Sequence, residues 1–197
     1  EARRPKKMAT LSEIAGKVRF EEATKGSLLN IIVTADDGDT RTYSVPHTGL
    51  RVKDGDVIEK GCQLQEGALN PHDVLRIRGI DDDEFGRPGV RNYLVQEVQK
   101  VYRQQGVDIN DKHIEVIVRQ MMRKVRVEDA GDSDLLSGST IDLIEYLDAK
   151  RAVQDRIDAG ETNDGIELRL PTATRILMGI TKASLATDSF LSAASFQ

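Results

Sequence analysis

The chain has 197 residues, 39% of them hydrophobic and 31% charged, which is enough apolar material for one large or two small domains. Its apolar runs are far shorter than the ~18–20 residues that span a bilayer, so we expect no membrane segment. A single cysteine, Cys62, excludes an internal disulfide and a cysteine zinc site and favours a cytoplasmic protein. The net charge of −5 and the absence of Trp argue against a uniformly basic or base-stacking nucleic-acid binder.

Residues 1–70 predict a small β-rich module. Short β-branched runs, at 17–20, 28–34, 41–45 and 57–59, alternate with Gly- and Asp-containing turns. This spacing favours a compact sandwich or barrel.

Residues 71–130 change to a helical period and predict a mainly helical module. Pro71 opens a short helix that Gly79 closes, and a second helix runs from Val90 to Gln105. A third begins after Asn110 or Asp111 and ends near residue 124, before a short strand. The fold class expected from both modules is α+β.

The remaining sequence divides into a polar, partly helical segment at 131–178 and a final segment at 179–197. The first contains one predicted helix, Ile141–Ala159, followed by extended or irregular chain. The second predicts an amphipathic helix starting near Ser184, with no Gly or Pro to stop it. We therefore expect the chain to be a piece of a longer protein.

Residues of the types that bind metals or act as nucleophiles have simpler structural explanations in this sequence. Asp54 and Asp56 flank a glycine between β-like runs, which is typical of a hairpin turn and lacks the spacing of a calcium loop. His113 and Glu115 lie two apart and so face different sides of a helix. Cys62 suits a small buried position. The sequence predicts no catalytic residue and no bound cofactor or metal.

The stretch VKDGDVIEKGCQL, residues 52–64, resembles the hairpin turns of biotinyl- and lipoyl-type carrier domains. Carrier domains expose a modifiable lysine on a hairpin tip, whereas residues 65–69 here contain no lysine. The resemblance therefore implies the shape without the attached cofactor.

Positive charge is concentrated in two places despite the acidic total. Residues 1–7 carry four basic side chains, including Arg3 and Arg4, and residues 112–126 carry five against the single acid Glu115. Arg119 and Arg123 are four apart and share one helix face. They are candidates for phosphate contact, and the alternative is a solvated face that pairs with Glu97, Glu115 or the acidic stretch at 128–148.

Four strings resemble the β′ subunit family of bacterial RNA polymerases. They are PHDVLRIRG at 71–79, LVQEVQKVYRQQGV at 94–107, DINDKHIEVIVRQMMRKVRVEDAGDSD at 108–134 and GITKASLATDSFLSAASFQ at 179–197. EARRPK at 1–6 also resembles the stretch after the trigger loop of that subunit. Residues 139–170 match only loosely, so no role is carried over there.

The resemblance implies that 1–70 is the jaw, which flanks downstream duplex DNA, and that 179–197 begins the switch element at the clamp base. Lys182 falls where the family has a lysine near the template-strand phosphates. Implied partners are the rest of β′, the β, α and ω subunits, and regulatory proteins at the jaw. The family's magnesium loop, Asn-Ala-Asp-Phe-Asp-Gly-Asp, and its zinc-binding cysteine clusters do not occur in these residues. The chain is thus expected to be a non-catalytic part of a nucleotidyltransferase.

Two other function classes stay open at this point. The chain could be a free-standing β-sandwich adaptor that binds proteins through 1–70, or an acyl or biotin carrier, which the missing lysine disfavours.

Overall fold

The computed structural model describes residues 5–22, 28–163, 165–187 and 189–196. The chain divides into two compact units, one ending at Ile109 and the other beginning at Asn110. This division falls inside the predicted helical module, 71–130, and the four predicted segment ranges stay predictions.

The first unit contains an antiparallel sheet of four strands in the order β4-β3-β2-β5, and a separate short parallel pair, β1 and β6. The strands are β1 (Met8–Ala9), β2 (Gly16–Glu22), β3 (Leu28–Thr34), β4 (Thr40–Pro46), β5 (Val57–Ile58) and β6 (Ala68–Leu69).

Alternation builds the sheet core, because successive side chains of a strand point to opposite faces. Leu29, Ile31 and Val33 of β3 are buried against Val18 of β2 and Val45 of β4. The predicted hairpin turn at Gly38 is confirmed, since it joins the paired strands β3 and β4 with φ of +88°, a conformation that glycine adopts without steric cost. Gly55 also lies in a turn with φ of +88°, but β5 pairs with β2 and not with β4, so the prediction of a hairpin is wrong there.

Two helices complete the first unit, α1 (Pro71–Ile77) and α2 (Val90–Gln104). Asn70 caps α1 by accepting a hydrogen bond from the His72 N–H, and Gly79, with φ of +96°, closes it as predicted. The helical period of the sequence predicts one apolar face on this helix, formed by Leu94, Val95, Val98, Val101 and Tyr102. Val101 and Tyr102 are exposed, so the prediction is wrong at this end of α2. The buried side chains of α2 extend from Val90 to Gln99.

The second unit combines a three-stranded antiparallel sheet, in the order β11-β7-β8, with four helices. Its elements are α3 (Asp111–Met121), β7 (Lys124–Asp129), β8 (Thr140–Asp142), α4 (Leu143–Asp158), β9 (Thr162–Asn163), β10 (Ile166–Glu167), β11 (Thr172–Arg175), α5 (Ile180–Leu185) and α6 (Phe190–Phe196). The predicted α+β class is confirmed.

The end of the chain differs from the sequence-based prediction. A helix starting near Ser184 is wrong: α5 begins after Gly179, whose backbone is extended, and a second helix begins at Phe190. The hydroxyls of Thr187 and Ser189 fall between them. Ser and Thr favour helix ends because their side chains compete for backbone hydrogen bonds.

Candidate nucleic-acid interface

The basic stretch of the second unit lies on α3 and on β7, which follows it. Asn110 caps α3 by accepting from the Lys112 N–H at 3.1 Å, as the sequence predicts. Ile114, Val118 and Met121 bury one helix face, which leaves Arg119 on the exposed side.

Lys182 lies on α5 and its side chain is exposed. α5 packs against α3, and the Met178 N–H donates to the Met121 carbonyl at 2.9 Å, just before α5 starts. Lys182 and Arg119 therefore occupy exposed positions on two helices that contact one another. The sequence placed Lys182 just before the helix, whereas the structure places it inside α5.

Arg123 has a structural partner. It follows the C-cap of α3 and forms an ion pair with Asp142, whose carboxylate also lies 3.9 Å from Lys124 Nζ. The Asp142 side chain is mostly buried, while that of Arg123 is 38% exposed. The alternative of pairing with the acidic stretch therefore holds for Arg123. Its contact with DNA stays a prediction.

Arg126 belongs to the basic stretch at 112–126 but is not among the predicted DNA contacts, and it is exposed on β7. Its neighbours Val125 and Val127 are buried, so the strand alternation directs Arg126 to the opposite face. The alternation of polar and apolar residues along this strand is the sequence signal that could have indicated the exposure of Arg126. Arg3 and Arg4, the other two predicted DNA contacts, lie outside the described residues.

Across 5–22, 28–163, 165–187 and 189–196, no group of three or more His, Cys, Asp and Glu side chains is placed to hold a metal ion. In the same ranges no helix has both the length and the apolar character needed to cross a membrane.

The stretch that resembles a carrier domain continues into the β1–β6 pair. Gln65 is buried and donates from Nε2 to the Met8 carbonyl at 2.8 Å. Ala68 and Leu69 then pair with Met8 and Ala9 in register. The positions that would form the exposed tip of a carrier hairpin are thus tied to another strand.

The known proteins that match this chain along its whole length include the same subunit from several bacteria. The chain is 51% identical over 199 residues to the β′ subunit of DNA-directed RNA polymerase from Clostridium botulinum (strain ATCC 19397 / Type A), a match that covers 100% of this chain. The same subunit is 51% identical in Acetivibrio thermocellus and 50% identical in Clostridioides difficile, again over 100% of the chain. The chain spans about 15% of the length of these relatives.

These matches confirm the resemblance drawn from the sequence motifs. The family described as RNA polymerase Rpb1, domain 5 matches residues 13–188, from the segment before β2 to the end of α5 and just beyond. With nearly the whole chain inside that match, the chain belongs to the RNA polymerase Rpb1 domain 5 family.

Proposed function

We propose that the chain is a non-catalytic part of the β′ subunit of a bacterial, cytoplasmic DNA-directed RNA polymerase, where it guides downstream duplex DNA and contacts other parts of the enzyme. The observation that carries the proposal is the match to β′ subunits along the entire chain. Implied partners are the rest of β′, the β, α and ω subunits, and regulatory proteins at the jaw.

In this proposal the nucleotidyl transfer takes place elsewhere in the enzyme. Magnesium and zinc are held by other segments of β′, since their binding motifs do not occur in these 197 residues. The contribution of this chain is to position nucleic acid and neighbouring subunits.

The distribution of charge supports a guiding role. DNA must slide past such a surface, so its contacts must be weak and easily exchanged. Phosphate contacts from a few exposed cations meet this need, because each contributes modestly and weakens as salt rises. Lys182 and Arg119 supply exposed cations on a chain whose net charge is −5.

Lys182 is the side chain that we propose to lie near the template strand. Lys182→Glu in the assembled polymerase is expected to shorten the lifetime of open promoter complexes, most strongly at low salt, where screening is weakest. The measurement is complex lifetime across a salt series.

Lys150→Glu is the matched control, since Lys150 is an exposed lysine of α4 in the same unit. It should leave the lifetimes unchanged. Wild-type lifetimes for Lys182→Glu at every salt concentration would rule out the proposed role of Lys182.

A further inference from the structure

The first unit contains two bodies with separate hydrophobic packing. The core cluster of the four-stranded sheet is formed by Val18, Leu29, Ile31, Val33, Val45, Val52, Ile58 and Leu64. The helices bury other residues, including Val74 of α1 and Leu94 of α2. In the described part of the chain, no residue of α1 or α2 belongs to the sheet cluster. The core of the sheet therefore does not by itself fix how the sheet sits on the helices.

Arg78, directly after α1, bridges the two bodies. Its Nε and Nη2 donate to the Gly61 carbonyl at 3.0 and 2.9 Å, and its Nη1 lies 3.4 Å from the Pro88 carbonyl. Gly61 has φ of +79°, and a Cβ there would lie 3.0 Å from Arg78 Cγ. The arginine thus lies directly on a turn that follows β5.

Arg87, in the loop between α1 and α2, holds the same turn from a second side. Its Nη2 donates to the Lys60 carbonyl at 2.6 Å. Asp83 orients it by accepting from Arg87 Nε at 2.7 Å and from the Arg87 N–H at 2.9 Å. Its guanidinium also stacks 4.8 Å from the centre of the Phe85 ring. The Arg87 side chain is only 21% exposed, so these bonds are partly shielded from water.

Three further polar links cross this junction in the described residues, and each is weaker or belongs to the connecting chain. Arg87 Nη2 lies 3.9 Å from a Glu59 carboxylate oxygen, and the Glu59 side chain is 51% exposed. Arg76 pairs with Glu13 at 2.7 Å, but its side chain is 62% exposed, and exposed ion pairs contribute little. The Tyr93 hydroxyl accepts from the Leu69 N–H at 3.0 Å and donates to the Leu69 carbonyl at 3.1 Å. Leu69 lies in the segment that already joins the sheet to α1.

We propose that Arg78 and Arg87 form a clasp on the Lys60–Gly61 turn that locks the orientation of the four-stranded sheet relative to α1 and α2, and whose release lets the sheet move as a rigid body. Guanidinium-to-carbonyl bonds suit a releasable lock, since both groups can bond to water when they separate. The sheet keeps its own core when the clasp opens. This device does not depend on the proposed role in the polymerase.

A distance measurement in the full-length chain tests the clasp. Spin labels are attached through unnatural amino acids at exposed positions, Asp37 in the β3–β4 hairpin and Lys100 on α2. The double variant Arg78→Gln/Arg87→Gln is expected to broaden the distance distribution about twofold relative to the wild type, as for a released hinge. A second label pair, at Asp37 and Val57, reports on the sheet alone and is expected to stay unchanged.

Arg91→Gln is the control. Arg91, at the start of α2, has an exposed side chain and pairs with Asp81 of the loop between α1 and α2, not with the Lys60–Gly61 turn. This variant should give the wild-type distribution. An unchanged distribution between positions 37 and 100 in the double variant would overturn the proposal.

If the double variant also broadens the 37–57 distance, the single variant Arg87→Gln decides. The clasp is supported if the single variant broadens the distance distribution between positions 37 and 100 and leaves the distribution between positions 37 and 57 unchanged. Broadening of both distances, or of neither, contradicts it.

Discussion

Gly131 is the residue at which the backbone requires glycine for two reasons at once. Its φ is +53°, and a Cβ there would lie 2.4 Å from the Arg169 carbonyl oxygen. Next to it, the Asp132 N–H donates to that carbonyl at 3.0 Å, and Asp132 Oδ2 accepts from the Arg169 N–H at 2.7 Å. The close approach of the two chain segments depends on the missing side chain.

Gly131→Ala is therefore expected to lower the free energy of unfolding by about 3 kcal/mol, because strain and a backbone displacement add. Gly138→Ala is the matched control. Gly138 also has positive φ, at +84°, but open space where its Cβ would lie. It should cost only about 1 kcal/mol, from strain alone. Chemical denaturation of both variants gives the comparison, and equal losses would contradict the steric explanation.

Asp83 makes the loop between α1 and α2 sensitive to acid. Burial raises the pKa of Asp83, but hydrogen bonds from the Arg87 N–H and guanidinium outweigh it, so the pKa lies below the ordinary value for aspartate. A carboxylate with a lowered folded-state pKa stabilises the fold above its unfolded pKa. This stabilisation is lost as pH falls through the folded pKa.

Asp83→Asn should thus cost about 1 kcal/mol at neutral pH and flatten the loss of stability on acidification. The measurement is the denaturation midpoint as a function of pH. Asp81→Asn, in an exposed pair with Arg91, serves as the comparison and should keep the wild-type pH dependence. Parallel curves for Asp83→Asn and the wild type would show that Asp83 does not set this dependence.

At the scale of elements, local patterns could be predicted and long-range pairing could not. The alternating run Leu28–Thr34 is predicted with its observed bounds because its own side chains determine which face is buried. The two-residue strands β1 and β6 have no such signal. Their pairing joins Met8 to Ala68, which are separated in sequence by all four strands of the larger sheet. The loop after α1 depends likewise on the Lys60 carbonyl, far away in sequence.

The same distinction applies to the candidate interface. Exposure of Arg119 could be inferred from the helical period around it. The pairing of Arg123 could not, because Asp142 lies nineteen residues away and approaches only when β8 aligns beside β7. A charge pattern therefore identifies the basic stretch but not which cations are already neutralised by the fold.

Asp142 is the element-scale test, because it ends β8 and caps α4. It accepts from the Ile144 N–H at 3.1 Å while pairing with Arg123. Asp142→Ala should lower the free energy of unfolding by about 2 kcal/mol through loss of the cap and of a partner for two cations. Asp142→Ser restores a capping oxygen and should recover about 1 kcal/mol.

Asp148→Ala is the control for this series. Asp148 lies on α4 and pairs with exposed Arg151, at 3.9 Å, so its loss should have little effect. If Asp142→Ser is as unstable as Asp142→Ala in chemical denaturation, the cap contributes nothing measurable.

At the scale of the whole molecule, two neighbouring arginines separate nucleic-acid binding from fold stability. Arg119 is exposed on α3, whereas Arg123 is paired with Asp142. In the assembled polymerase, Arg119→Gln should reduce the slope of log affinity for downstream duplex DNA against log salt by about 1, as expected for one lost phosphate contact. Arg123→Gln should instead lower the melting temperature, because the mostly buried Asp142 carboxylate loses the closer of its two cationic partners.

The two measurements, taken on both variants, cross-check one another. A changed melting temperature for Arg119→Gln would place that side chain in the fold rather than at the DNA. If Arg119→Gln leaves the slope of log affinity against log salt unchanged, α3 is not part of the proposed DNA-binding surface. Lys182 on α5 would then be the candidate cation that remains. Because counterion release depends on the number of phosphates neutralised, the slope distinguishes a direct contact from an indirect loss of structure, which weakens binding at all salt concentrations.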